Sequence, residues 1–130
     1  MANLIYPDLS YKIIGVIYEV FNELGYGYQE KIYQKATALR LKKYGLNFTE
    51  QVKVDLNFDG QNIGKFFLDF LVEDKIVLEL KVGDYFYKKD FEQVRAYLKA
   101  KKLELGIIVL FSKTGVKSKR VLCRHSDKLG

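Results

Sequence analysis

The chain has 130 residues, 48% of them hydrophobic and 15% aromatic, which is enough for one compact domain with a real core and too little for two. Its net charge of +6, with an isoelectric point near 9.3, favours a polyanionic partner. A single cysteine, Cys123, and a single histidine, His125, exclude an internal disulfide and a zinc site of the Cys/His type, and they suit a reducing, cytoplasmic setting.

In chain order, Ser10 is placed to cap a first helix whose apolar positions Ile13, Ile14, Ile17, Phe21 and Leu24 recur at helical spacing, with Gly25 to end it. Lys12 and Glu19 interrupt that stretch, which falls short of a membrane span and carries no signal-peptide cleavage pattern, so no membrane partner is expected. A second helix is expected from about Tyr28 to Tyr44, burying Ile32, Ala36 and Leu39, with Gly45 after it. From Gln51 the period becomes two: Val52, Val54, Leu56 and Phe58 alternate with Lys53, Asp55 and Asn57, the pattern of a strand with one wet face. Residues Ile63 to Val72 and Ile76 to Val82 are apolar at nearly every position, so both are expected at the centre of a sheet with both faces covered.

The stretch "KKDFEQVRAYLKAKK" reads as an amphipathic helix through Phe91, Val94 and Leu98, "LGIIVLF" as a buried strand, and Arg120 to Arg124 as an edge strand. Strand, helix and strand in that order make a parallel crossover. The expected fold is therefore α/β: residues 1–130 as one domain, its mixed sheet made of an antiparallel meander plus a parallel strand and flanked by helices. The basic run from Lys113 to Lys128, with Asp127 its only acid, reads equally as a solvated edge.

Charge inside the apolar strands is what points to chemistry. Residues two apart on a strand share a face, so Glu79 and Lys81 point the same way. A turn centred on Asp74 pairs Val72 with Ile76 and sets Asp69 opposite Glu79 on the neighbouring strand. Two carboxylates this close repel unless a cation lies between them or one is protonated. Mg²⁺ favours such oxygens, and Lys81 beside it could orient or deprotonate a water or neutralise charge on a phosphate. The simpler alternative pairs Glu79 with Lys81 across a solvated face and makes Asp69 a turn-side acid.

These residues resemble the PD-(D/E)XK nuclease superfamily, whose restriction-endonuclease-like core is a helix, a three-strand meander, a helix and a further strand. Asp69 and "ELK", Glu79 to Lys81, match its metal-binding and catalytic positions, although Leu68 replaces the usual proline before the aspartate. "QVRAY", Gln93 to Tyr97, resembles the Gln-x-x-x-Tyr element of the RecB-like exonuclease branch. "GYQEKIY", Gly27 to Tyr33, resembles the motif of the GxxExxY protein family, and that similarity spans nearly the whole chain.

The resemblance implies a metal-dependent nuclease acting on nucleic acid, DNA before RNA. Asp69, Glu79, the Leu80 carbonyl and Glu30 would hold Mg²⁺ or Mn²⁺, Lys81 would activate water, and Gln93, Tyr97 and Tyr33 would support the site. Glu30 has a second reading as the third residue of a helix capped by Gly27, tying down the helix start. The loop "GDYFYKKDF", Gly83 to Phe91, either stacks bases and holds phosphates or folds onto the core. From another functional class, the fold could serve as a non-catalytic module binding nucleic acid or protein. Self-association or a protein partner stays open.

Overall fold

A computed structural model describes residues 5–125. Helix α1 (Pro7–Leu24) starts three residues before the expected cap, because a proline at the first helical position has its φ already set and lacks an N–H that would go unbonded there. Ser10 is therefore no cap but a buried residue inside the helix, its hydroxyl accepting a bond from Arg120 Nη1 at 3.3 Å. Ile13, Val16, Ile17 and Val20 form the inward stripe, and Gly25, with φ +73°, ends the helix.

Helix α2 (Glu30–Lys43) buries Tyr33, Thr37 and Leu41; of the expected Ile32, Ala36 and Leu39, Ala36 packs partly buried against the same core, Ile32 is only half-buried and Leu39 is 72% exposed. Aromatic packing sets this rotation. The Tyr33 ring stacks on Phe111 with centroids 4.3 Å apart, and its hydroxyl donates to the Gly25 carbonyl, tying α2 to the end of α1.

Strands β1 (Phe48–Phe58), β2 (Gln61–Val72) and β3 (Ile76–Val82) form the meander; helix α3 (Lys88–Lys101), β4 (Leu105–Ser112) and β5 (Gly115–Leu122) follow. The five strands lie in the order β1-β2-β3-β4-β5, antiparallel throughout except where β3 and β4 run parallel across α3. This is the mixed sheet of a restriction-endonuclease-like α/β fold, with the last strand at its edge as expected, although it spans Gly115–Leu122 rather than Arg120 to Arg124. Asp127 and Lys128 of the basic run lie outside the described residues.

Helices α1 and α2 cover one face, packing on Phe70, Val72, Leu78, Leu80, Ile107 and Phe111. Helix α3 covers the other, over Val52, Leu68, Val77, Ile108 and Val121. β4 is buried at every position, as its continuous apolar run demands. Gly106 lets α3 approach: a Cβ there would fall inside the contact distance of Val94 Cγ1. Gly106→Ala is expected to lower stability by about 1 to 3 kcal/mol in urea unfolding, the usual cost of overpacking, and an unchanged midpoint would show that α3 can rise to accommodate it.

β2 departs from its expected central position. Only Phe70 to Val72 pair with β3, so the earlier part of the strand has β1 as its one neighbour, and Ile63 and Phe67 stand 62% and 46% exposed. On β1, Val52 and Val54 are buried as the alternation predicts, whereas Leu56 and Phe58 project beyond any cover, 47% and 64% exposed.

The two strands also change faces part-way. Phe66 and Leu68 pack on the α3 side, Phe70 and Val72 on the α1/α2 side; likewise Val52 and Val54 against Phe48. A regular strand would keep each of these sets on one face. The reversal falls at Gln51 and Asp69, which face each other between the pairs Glu50↔Phe70 and Val52↔Leu68. Gln51 has φ +54°, a left-handed conformation uncommon for a residue with a side chain.

Candidate active site

Beyond Phe70 and Leu78, β2 and β3 part. Two acids fill the fork. The Asp69 N–H donates to Glu79 Oε1 at 2.9 Å, and the Leu80 N–H donates to Asp69 Oδ2 at 2.8 Å. Each carboxylate thus satisfies the backbone of the facing strand where ladder bonding has stopped. Both side chains are buried, at 6% and 4% exposure.

Lys81, two residues beyond Glu79 on the same strand face, places its Nζ 3.2 Å from Glu79 Oε2 and 3.7 Å from Asp90 Oδ1. The Glu79–Lys81 pair of the simpler alternative therefore exists, but Glu79 is buried and the face is not a solvated one. Asp90 had passed as part of an amphipathic helix. It is buried in the first turn of α3, where the helix dipole favours an acid.

Burial raises the Asp69 pKa, against the opposing effects of the Leu80 N–H bond, the contact with Glu79, the Lys81 charge and the Gln51 side chain. Burial and then the charge of Asp69 push Glu79 up to about 8, Lys81 only partly opposing them. Burial and the mutual repulsion of two anions in this dry fork both favour the protonated forms. Burial disfavours the charge on Lys81, but Glu79, Glu30 and Asp90 outweigh it and hold its pKa above that of a free lysine.

Residues 7–121 match the family model described as the PD-(D/E)XK nuclease superfamily. The chain belongs to this superfamily. Two solved structures with related folds agree. One, "Crystal structure of SSO0001", has a TM-score of 0.55 at 18% identity over 90% of this chain and 60% of that one. The other is an alkaline exonuclease (LHK-Exo) from Laribacter hongkongensis, with a TM-score of 0.52 at 12% identity over 97% of this chain and 74% of that one. This chain thus spans less than two thirds of the first of these proteins, and at such identities the likeness is one of fold. No curated protein matches the sequence.

The remaining motif residues of this PD-(D/E)XK chain are unequally placed. Glu30 is the first residue of α2, after Gln29 as N-cap, and no side chain caps that end; a capping box with Gly27 is absent. Its half-buried carboxyl is raised by desolvation and by the charges of Asp69 and Asp90, and lowered by Lys81, so it stands within the field of the fork. Gln93 lies one helical turn past Asp90 and lines a groove shared with Phe66. Tyr97, another turn on, belongs to the α3-side core, where burial and the charge of Asp74 raise its phenol; it sits by the β2–β3 turn, at the far end of β3 from Lys81. Tyr33 lies in the opposite core against Phe111. The loop after β3 divides between its two readings: Phe86 packs on Phe91, whereas Tyr85 and Tyr87 are 72% and 60% exposed.

Among the described residues, no three Asp, Glu, His or Cys side chains are gathered closely enough to form a cage for an ion. The donors at the fork nonetheless fit a hard divalent cation. They are carboxylate oxygens, whose pKa values burial raises, so a cation bound between them would favour their ionised forms.

Proposed function

We propose that the chain is a divalent-metal-dependent nuclease that hydrolyses phosphodiester bonds in nucleic acid, with DNA the first substrate to test. The observation that carries this reading is the buried Asp69–Glu79 pair at the β2–β3 fork, with Lys81 3.2 Å from Glu79, in a chain of the PD-(D/E)XK superfamily. The alkaline exonuclease of similar fold lends it support, and the Gln93 to Tyr97 and Gly27 to Tyr33 motifs favour a RecB-like, GxxExxY placement.

Asp69 and Glu79, with the Leu80 carbonyl, are the groups that would hold Mg²⁺ or Mn²⁺. Such an ion would supply Lewis acidity at the phosphoryl group and lower the pKa of an attacking water. Glu30, whose carboxyl feels the charges of Asp69, Asp90 and Lys81, would complete the oxygen set or orient that water. Three carboxylates hold Lys81 as an ammonium, which sets it against charge developing on the phosphate; it accepts a proton only once those acids are neutralised. Asp90 fixes the lysine from the α3 side.

The test is cleavage of labelled DNA and RNA, single- and double-stranded, with Mn²⁺ or Mg²⁺. Wild type should cut at least one class and Asp69→Ala none. Equal cleavage by both proteins would falsify the assignment, and Mn²⁺ binding without hydrolysis of any substrate would favour the binding-module reading instead.

A further inference from the structure

Between α3 and the projecting part of the β1–β2 ribbon lies a groove of about 340 Å³, lined by Leu56 and Phe66 from the ribbon and Lys89, Glu92, Gln93 and Ala96 from the helix. We propose that this groove is a subsite for one unpaired nucleobase adjoining the phosphate held at the fork. The proposal rests on the nuclease reading and names its substrate class: single strands, frayed ends or a nucleotide turned out of a duplex.

Position is the first argument. Asp90 and Gln93 are three apart on α3 and therefore neighbours on its surface, and Asp90 Oδ1 lies 3.7 Å from Lys81 Nζ. On the opposite wall, Phe66 precedes Asp69 by three residues on the same strand. The groove thus starts about one helical turn, roughly 5 Å, from Asp90 on the helix side and about 10 Å along the strand from Asp69 on the other.

The chemistry of the lining is the second. Leu56, Phe66 and Ala96 offer apolar and aromatic surface, and the Gln93 amide offers a donor and an acceptor that no protein group engages among the described residues. Glu92 is drawn toward Lys88, 3.7 Å away, leaving Lys89 as the uncompensated charge at the groove. An apolar-faced ring with a hydrogen-bonding edge and an anionic backbone beside it meets all three needs. A groove of this volume, at the small end of ligand pockets, has room for such a ring. A base inside a duplex has neither its faces nor its pairing edge free. Because an amide can serve either a donor or an acceptor edge, the subsite should tolerate all four bases.

The ribbon gives the third argument. Leu56 faces α3 across the groove, Phe58 follows it two residues on, and folding leaves them 47% and 64% exposed. Apolar side chains lined up beyond any cover, next to a site, mark a surface that something else covers.

Binding of fluorescein-labelled oligothymidylate in Ca²⁺ buffer tests this by anisotropy, against the same strand annealed to its complement and against an abasic strand of equal length. Wild type should prefer the single strand over both. Ala96→Leu fills the groove from an exposed helix position without adding charge or an aromatic ring, and Gln93→Ala removes the amide. Each should weaken single-strand binding by roughly tenfold, the worth of one stacked base, and leave abasic binding unchanged. Single-strand affinity equal to wild type in Ala96→Leu, with its melting temperature intact, would sink the subsite; so would abasic strand binding as tightly as the normal strand. Displacement of the oligonucleotide by apolar peptides alone would reassign the groove to protein. Binding is read without hydrolysis, so a failed subsite leaves the nuclease assignment standing, and absent cleavage leaves the subsite to be judged on its own.

Discussion

In EDTA, wild-type protein is expected to lose stability as pH rises from about 5 to 8, and Glu79→Gln is expected to lose much less. Glu79 has its folded pKa raised from 4.5 to about 8 by burial and by the charge of Asp69. For an acid shifted upward the folded state binds the extra proton, so the stabilisation is full below the unfolded pKa and disappears as pH passes the folded one. One such group changes stability by at most about 1.4 kcal/mol per pH unit inside that window. Asp69 and Glu30, also raised, add slope of the same sign. Glutamine keeps the acceptor for the Asp69 N–H and cannot ionise, so its urea midpoint should fall less steeply than that of wild type, keeping only the slope that Asp69 and Glu30 contribute. Mn²⁺ should restore wild type at pH 8, because a bound cation favours the ionised acids in the folded state alone. Parallel pH curves for the two proteins would show that Glu79 ionises freely in the fold.

Lys81→Met is expected to separate binding from reaction. Removing the ammonium takes a like charge away from the fork, so Mn²⁺ should bind at least as tightly as in wild type, and calorimetry can check this directly. Cleavage should fall by roughly 10² to 10³-fold, the usual cost of removing one group aimed at developing charge. Undiminished cleavage in purified Lys81→Met protein would leave the acids as the site and dismiss the lysine from it.

Much of this was legible before any coordinates. The apolar runs at Ile76 to Val82 and Leu105 to Phe111 are what strands buried on both faces require, and a helix between them forces the parallel pairing. The turn at Asp74 fixed a register in which Val72 meets Ile76, and one residue of slip would have divided the acids between faces. What escaped was decided by packing at a distance. Both Ile32 and Tyr33 are apolar enough to face inward, and the ring of Phe111 with the carbonyl of Gly25 selects the tyrosine. An alternating strand such as β1 does not announce where its helical cover stops, so Leu56 and Phe58 read as core. Asp90 looks like a solvent-facing helix residue until α3 docks above Lys81. Tyr97 shares a helix with Gln93, but α3 runs back along β3 and carries it away from the lysine.

The reversal of faces at Gln51 and Asp69 has a bearing on when the acidic fork forms during folding. Phe70 belongs to the hydrophobic layer under α1 and α2, and Leu68 to the layer under α3, so Asp69 sits on a seam that neither layer builds by itself. An intermediate with one layer consolidated would show strands and helices by circular dichroism yet leave the carboxylate unplaced. Recovery of metal binding on refolding should therefore lag behind secondary structure and coincide with the last cooperative step, making this acid a built-in reporter of complete assembly.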